Sequence, residues 1–214
     1  MKDKNLHNFR ENYQKSELSL ESAGTDPVQL FVNWLNCAIE QNEQEPNAMT
    51  VSTVASDNSP RSRIVLLKEV SKGGFVFFTN YNSDKAAEIA QNPNVCLNFL
   101  FKNMEQQIRI VGKAEKLTVA ENEIYFSSRP EASKIGAWAS NQSETLASYD
   151  ELMDRFKTYQ KRYAESEVPC PPNWGGYRAI PQRVEFWQGR PNRLHDRILF
   201  VKDGDKWQKQ RLNP

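Results

Sequence analysis

The feature of this chain that most constrains its fold is a series of short β-type runs after Pro46. Residues 48–56, 61–70 and 75–80 are rich in β-branched and aromatic side chains, and clusters of Asp, Asn, Gly and Pro separate them. Runs of this length between turn residues are typical of strands. We therefore predict consecutive antiparallel strands in this part of the chain.

Later runs extend the same pattern. Residues 94–101 and 106–117 alternate apolar and polar side chains, so each predicts a strand with one buried face. Residues 175–189 and 197–212 again indicate strand and turn, with Asp203-Gly204 marking the last hairpin. Together with interleaved helical segments, these runs predict an α+β fold, an antiparallel β-barrel with peripheral helices, and not a doubly wound sheet.

Helix signals stand at four places along the chain. Asp26-Pro27 is typical of a helix start, because Asp accepts from free backbone amides and Pro has no amide hydrogen to lose. Ser83 begins a short helical segment that stops at Asn92-Pro93, and Thr118 with Glu121 forms a capping box. Residues 149–164 carry a further amphipathic pattern. We predict a partly mobile N-terminal arm over residues 1–26 and a single domain over residues 27–214.

Composition limits the classes of function. The 214 residues carry a formal net charge of only +1, which argues against a general nucleic-acid-binding surface. The start of the chain lacks an apolar signal segment, and no run approaches the ~18 apolar residues of a membrane span. Three cysteines without metal-ligand spacing favour a reducing compartment and no zinc site. We expect a cytoplasmic protein with no metal, no nucleic-acid partner and no membrane contact.

Cations and hydroxyls near strand and helix ends are the candidates for chemistry, because dinucleotide, P-loop, nucleophile-elbow and zincin motifs are all absent. Arg63 and Lys68 flank one strand, and a strict period of two would point them to different pockets. Lys85 lies in the first turn of a helix, where free amides already favour an anion. Tyr125 and Arg129, expected on the helix after Thr118 and at its end, form with Ser133 a second phosphate-type group. A simpler interpretation is that each of these cations is a solvated side chain and that Tyr125 is a core residue.

The stretch 189–198, GRPNRLHDRI, crowds several arginines around one of only two histidines. A histidine titrates near neutral pH, so the cluster suits an anionic, proton-exchanging ligand. An exposed strand end is the alternative, and Trp187 just before it could be a barrel plug or an interface aromatic. The residue patterns alone thus predict a small barrel with anionic ligand sites.

Six stretches, in this order, closely resemble the pyridoxine/pyridoxamine 5′-phosphate oxidase family: SRIVLLK, FFTNYNSDKA, QIRIVGKAEKL, YFSSRPEASKIGAWASNQS, VPCPPNWGGYR and VEFWQGRPNRLHDRI. The resemblance covers residues 27–214, and Arg10 and Tyr13 of the arm are also similar. It implies a split β-barrel that binds FMN, and a homodimer with FMN at the subunit interface. It further implies oxidation of pyridoxine or pyridoxamine 5′-phosphate to pyridoxal 5′-phosphate, with dioxygen as acceptor and hydrogen peroxide as by-product.

The resemblance also implies roles for individual residues. The FMN-binding positions match Arg63, Ile64, Val65, Leu66, Leu67, Lys68, Phe78, Thr79, Lys85, Gln107, Gln142, Ser143, Trp187 and Arg197, some of which family members supply from the partner subunit. The substrate-binding positions match Arg10, Tyr13, Lys68, Tyr125, Arg129, Ser133, Arg193, Leu194 and His195. Arg193 and His195 match the catalytic residues that lie against the pyridine ring. One position departs, because Asp84 stands where family members often have a second cation before the matching lysine.

Two alternatives stay open at this level, since split barrels also host flavin reductases, deazaflavin enzymes and haem-handling proteins. One is an FMN-dependent reductase that uses a nicotinamide donor. The other is a non-catalytic module that stores or delivers pyridoxal 5′-phosphate, which would need no redox cofactor.

Overall fold

The computed structural model describes residue 7 and residues 11–214, and their contacts divide the chain into two compact units. The central unit comprises Ala48–Leu97 and Val111–Pro181, and the terminal unit comprises the described residues up to Asn47 with Asn98–Ile110 and Gln182–Pro214. The helices are α1 (Pro27–Glu40), α2 (Asp84–Gln91), α3 (Val119–Ser127), α4 (Glu131–Ala139) and α5 (Tyr149–Arg162). The strands are β1 (Ala48–Val54), β2 (Pro60–Leu66), β3 (Glu69–Ser71), β4 (Gly74–Asn80), β5 (Asn94–Phe101), β6 (Gln106–Lys116), β7 (Trp174–Gln188), β8 (Asp196–Asp203) and β9 (Lys206–Arg211).

Seven of the strands follow the order β2-β1-β5-β6-β7-β4-β3 in one sheet, in which β8 pairs with β7 and β9 with β8. The β1–β2, β3–β4 and β4–β7 pairs are antiparallel, with Val51 opposite Arg63 and Thr79 opposite Gly175. A Cβ on Gly112 of β6 would lie 2.0 Å from the Ile180 carbonyl oxygen of β7, so this close approach of two strands requires glycine. The register therefore fixes which side chains of neighbouring strands lie side by side.

Helix caps in the central unit follow local sequence signals. Thr118 and Glu121 form the reciprocal capping box at the start of α3, as the sequence predicts. Ser83 does occupy the N-cap of α2, but its hydroxyl donates to the Asn80 carbonyl at 2.7 Å instead of accepting from the helix. The first turn of α2 thus keeps amide donors that its N-cap side chain does not satisfy.

An aromatic cluster packs the helices of the central unit together. Phe126, Ile135, Val168 and Trp174 are buried at its centre. Around them lie the half-buried rings of Phe78, Tyr125, Trp138, Phe156, Tyr159 and Tyr163. Rings of this size supply much of the apolar area that a small helical layer can bury, so the cluster fixes α3, α4 and α5 relative to the start of β7.

The terminal unit contains α1 and the hairpin of β8 and β9, in which Asp203 pairs with Lys206. Asp26 caps α1 by accepting from the Val28 amide at 2.8 Å, which confirms the predicted helix start. Before α1, Leu18 is buried and its amide donates to Asp196 at 3.1 Å. The proposed division into a mobile arm and one domain stays a prediction, and Arg10 lies outside the described residues.

Two sequence-based expectations about secondary structure are wrong. The run 61–70 forms two strands, because the chain changes partner between them: β2 pairs with β1, whereas β3 pairs with β4. The helix after Thr118 ends at Ser127, so Arg129 lies in the turn before α4. Pattern reasoning did not assign α4, whose N-cap, Pro130, has no side-chain acceptor to signal a helix start. Among the described residues, no helix is long and apolar enough to span a membrane.

Candidate functional site

The central unit contains a cavity of about 710 Å³, a volume within the range typical of small-molecule sites. It lies beside the ends of β2 and β4, the start of α2 and the α3–α4 region. Its lining residues are Arg63, Ile64, Val65, Leu66, Lys68, Phe78, Thr79, Asn80, Lys85, Tyr125, Arg129, Ser133, Gly136, Ala137, Ser140, Gln142 and Trp174. Both cation groups that the sequence indicates therefore line one cavity.

Lys85 is the most buried cation of this cavity, with only 8% of its surface exposed. Its ammonium donates to Thr79 Oγ1 at 3.0 Å, to Ser83 Oγ at 3.2 Å and to Gln142 Oε1 at 2.6 Å. Burial, reinforced by the nearby positive charge of Arg63, lowers the pKa of Lys85 to about 8. An ammonium surrounded by neutral oxygens at the positive end of a helix suits an incoming anion.

A second cationic group lies at the α3–α4 turn. Arg129 Cζ lies 4.7 Å from the centre of the Trp174 ring, and Arg129 Nη1 is buried with no hydrogen-bond partner among the described residues. Tyr125 stacks on Phe78 with ring centres 3.9 Å apart, which orients its ring on the cavity wall. Burial lowers the pKa of Arg129 from its ordinary value, yet a guanidinium keeps its charge in proteins. An unpaired buried donor of this kind fits a phosphate oxygen.

The expectation that Arg63 and Lys68 serve different pockets is wrong. Both line the same cavity. The period of two holds only while one strand continues, and β2 ends at Leu66. The Lys68 amide already donates to the Val76 carbonyl of β4 at 2.8 Å, so the chain has turned towards its new partner before Lys68.

Two other predicted flavin residues of the central unit do not line this cavity. Leu67 is buried. Ser143 has a φ of 76°, and its hydroxyl accepts from the Asp84 amide at 3.3 Å. Pattern reasoning missed Trp174 and the small residues of α4, although the quoted stretches around them, VPCPPNWGGYR and KIGAWAS, contain the signal.

The terminal unit contains a second hollow of about 590 Å³ that includes predicted substrate residues. Its lining residues are Glu11, Asn12, Tyr13, Arg190, Asn192, Arg193 and His195. The His195 ring lies 4.6 Å from that of Trp187, and Tyr13 meets Trp187 edge-on at 5.7 Å. A Cβ on Gly189 would lie 2.7 Å from Tyr13 Cγ, so glycine there permits the aromatic contact. Leu194, also a predicted substrate residue, is exposed.

The hydrogen bond to His195 fixes its tautomer. The Arg190 backbone amide, which can only donate, lies 3.1 Å from Nδ1. Nδ1 therefore accepts, and the proton of the neutral ring is on Nε2. Burial and the charge of Arg193 lower the pKa of His195 below its ordinary value, which favours the neutral ring. Asn192 and Arg193 both have positive φ, at 58° and 63°, a backbone strain that is concentrated at functional sites.

The remaining predicted flavin residues are held by polar partners within the terminal unit. Gln107 donates to Asn98 Oδ1 at 2.6 Å. Arg197 donates from Nε to Glu185 at 2.9 Å and from Nη1 to the Asn213 carbonyl at 2.8 Å, and Arg109 also pairs with Glu185. These contacts orient both side chains.

The antiparallel sheet and the cation-lined cavity beside it indicate a β-type protein that binds a small anionic molecule. Residues 35–163 match the family model described as pyridoxamine 5′-phosphate oxidase, and residues 174–214 match the pyridoxine 5′-phosphate oxidase C-terminal dimerisation region. The chain belongs to the pyridoxamine 5′-phosphate oxidase family. The family resemblance found in the sequence is thereby confirmed.

Individual relatives agree with this assignment. A pyridoxine/pyridoxamine 5′-phosphate oxidase of Actinobacillus pleuropneumoniae serotype 5b is 50% identical over 209 residues, which cover 98% of this chain and 99% of the relative. The structure is similar to that of PhzG from Burkholderia lata 383 in complex with tetrahydrophenazine-1-carboxylic acid (TM-score 0.88, 26% identity, 94% of this chain and 100% of that one). It is also similar to a pyridoxamine 5′-phosphate oxidase-related, FMN-binding protein from Nostoc punctiforme (TM-score 0.70, 15% identity, 85% and 96% covered). The predicted α+β split-barrel fold is confirmed.

Proposed function

We propose that this chain is an FMN-dependent oxidase that converts phosphorylated B6 vitamers to pyridoxal 5′-phosphate. Pyridoxine 5′-phosphate and dioxygen give the aldehyde and hydrogen peroxide. Pyridoxamine 5′-phosphate, dioxygen and water give the aldehyde, ammonia and hydrogen peroxide. The observation that carries the proposal is one cavity with two separate cation groups, in a chain that matches oxidases of this name over nearly its whole length.

FMN, when bound, supplies the two-electron redox chemistry that protein side chains lack. Its phosphate fits the cluster of Lys85, Arg63 and Thr79, because a buried ammonium with neutral partners gains most from an anion. The side chains that we assign to FMN are Arg63, Ile64, Val65, Leu66, Leu67, Lys68, Phe78, Thr79, Lys85, Gln107, Gln142, Ser143, Trp187 and Arg197.

The phosphate of the substrate fits Arg129, whose buried Nη1 lacks a partner among the described residues, together with Tyr125, Ser133 and Lys68. We assign the pyridine ring to Arg193 and His195, with Leu194, Tyr13 and Arg10 as further contacts. The neutral His195 ring, with its proton on Nε2, can donate a hydrogen bond to a ring substituent. The fixed charge of Arg193 can pair with an oxygen substituent of the pyridine ring and so hold the ring in place while C4′ is oxidised.

The C-terminal dimerisation region supports a homodimer. We further propose that FMN lies at the subunit interface, so that some of its contacts come from the partner subunit. A cytoplasmic location is also proposed, and the odd number of cysteines without metal-ligand spacing supports it.

The test of the function is an absorption spectrum of the purified protein after addition of FMN, followed by anaerobic pyridoxine 5′-phosphate. We expect the bound flavin band to bleach and to recover when air is admitted. Unphosphorylated pyridoxine is the matched control and should bleach the band far more slowly, because the Arg129 group has no phosphate to bind. A bound flavin that stays oxidised with both phosphorylated vitamers would contradict the proposal.

A further inference from the structure

Behind the cavity wall, the side chain of Glu88 on α2 contacts one of the cations just assigned to FMN. Glu88 is only 5% exposed and does not line the cavity, whereas Arg63 does. Glu88 Oε2 accepts from Arg63 Nη2 at 3.0 Å and from the hydroxyl of Thr53 on β1. The same hydroxyl accepts from Arg63 Nη1. The carboxylate and the hydroxyl therefore hold the guanidinium from one side.

These contacts leave part of the guanidinium for a ligand. Arginine carries five N–H donors in a planar fork. The contacts to Thr53, to Glu88 and to the Arg61 carbonyl at 3.2 Å involve only Nη1 and one bond from Nη2. An arginine held in this way loses less rotamer freedom when it binds a phosphate, because its contacts with Glu88, Thr53 and Arg61 already restrict that freedom.

The charge of Glu88 acts in the opposite direction. A carboxylate next to an anion-binding arginine repels the anion, and Arg61, at 3.4 Å from Glu88 Oε1, compensates it only partly because Arg61 is half exposed. Glu88 Oε1 is buried without a hydrogen bond among the described residues. Glu88 can favour anion binding in two ways: its charge supports the protonated form of Lys85, and its hydrogen bond holds Arg63 in position. Only the second effect acts through Arg63.

We propose that Glu88, with Thr53, is a positioning residue that holds Arg63 ready for the phosphate of FMN. This inference rests on the proposed function, since it assigns the phosphate to the Arg63 end of the cavity. Holding Arg63 in position should strengthen phosphate binding, whereas repulsion between the Glu88 carboxylate and the phosphate should weaken it. A glutamine at position 88 is neutral but keeps the acceptor oxygen, so it separates the two effects.

The test compares Glu88→Gln with Glu88→Met, two side chains of similar length, by titration of the apoprotein with FMN and with riboflavin, following flavin fluorescence. Glu88→Met should weaken FMN binding about tenfold, the scale of one lost charge-assisted hydrogen bond. Glu88→Gln should bind FMN as tightly as the parent or more tightly. Riboflavin lacks the phosphate, so its affinity should be the same for the parent and for both variants. A general disturbance of the cavity would instead change the affinities for FMN and riboflavin alike.

A double-mutant cycle tests whether Glu88 acts through Arg63. On an Arg63→Met background, Glu88→Met should cause no further loss of FMN affinity. An equal loss on both backgrounds, or Glu88→Met with the parent's affinity, would overturn the proposal. If Glu88→Met does not fold, Thr53→Val replaces it in the test, because valine lacks the hydroxyl that joins Glu88 and Arg63. An unchanged FMN affinity of Thr53→Val would also overturn the proposal. A parent that binds no FMN would instead overturn the proposed function.

Discussion

Lys85 gives the most direct prediction, because its pKa lies inside an accessible range of pH. Burial lowers that pKa to about 8, so about nine-tenths of the side chain is charged at pH 7 and about one-tenth at pH 9. The FMN phosphate is already dianionic there, since the second pKa of a phosphate ester is about 6.

The sign follows from linkage. The FMN phosphate binds the protonated form of Lys85. Above the pKa of Lys85, binding must therefore be accompanied by uptake of a proton, and the affinity for FMN falls as the pH rises. We expect the dissociation constant of FMN to increase about tenfold between pH 7 and pH 9, the ratio of the two protonated fractions. The stability of the fold without FMN should change with pH in the opposite direction. In the unfolded chain Lys85 has its ordinary pKa of about 10.4, so the unfolded state binds more protons between pH 8 and about 10.4, and the free energy of unfolding rises with pH there.

The assay is a fluorescence titration of the apoprotein with FMN at several pH values and constant ionic strength. Lys85→Arg is the matched control, because arginine stays charged throughout and should remove the pH dependence. A dissociation constant of the parent that is flat between pH 7 and pH 9 would refute the reasoning. So would the same slope in Lys85→Arg.

Four further predictions concern other residues. Arg193→Ala should lower turnover by about 10²-fold, the scale lost with one preorganised charge, and unchanged turnover at saturating substrate would exclude that role. Arg129→Met keeps the packing stem on Trp174 and should weaken substrate binding by about 1.5–3 kcal/mol, seen as a raised Michaelis constant with little change in turnover; an unaltered constant would remove Arg129 from the phosphate group. His195→Asn should remove the fall in rate on the acidic side of the pH–rate profile, which we expect below the ordinary histidine pKa, because asparagine does not titrate. An unchanged profile would mean that the His195 ring only orients the substrate. Thr118→Ala should lower the stability to denaturant by about 1 kcal/mol, through loss of the α3 cap, and an equal midpoint would show that α3 does not depend on its capping box.

Much of the secondary structure could be predicted from the sequence because its signals are local. Asp26 caps α1 with its own side chain, and Thr118 and Glu121 cap α3 within three residues. The alternation of apolar residues in β5 matches the buried face that the structure has. Such features depend on the chemistry of neighbours along the chain, which the sequence contains in full. The order of the motifs also identifies the family.

The arrangement of the site could not be predicted in this way. Arg63 and Lys68 share a cavity only because the chain changes from β1 to β4 as its pairing partner. Glu88 contacts Arg63, twenty-five residues earlier, because α2 packs beside β1 and directs its carboxylate to Thr53. No pattern singled out Glu88, since a glutamate in a short helix is usually solvated. The sequence by itself determined every described helix except α4, most strands and the family. The grouping of the charges depends on register and packing between distant segments, which only the tertiary structure decides.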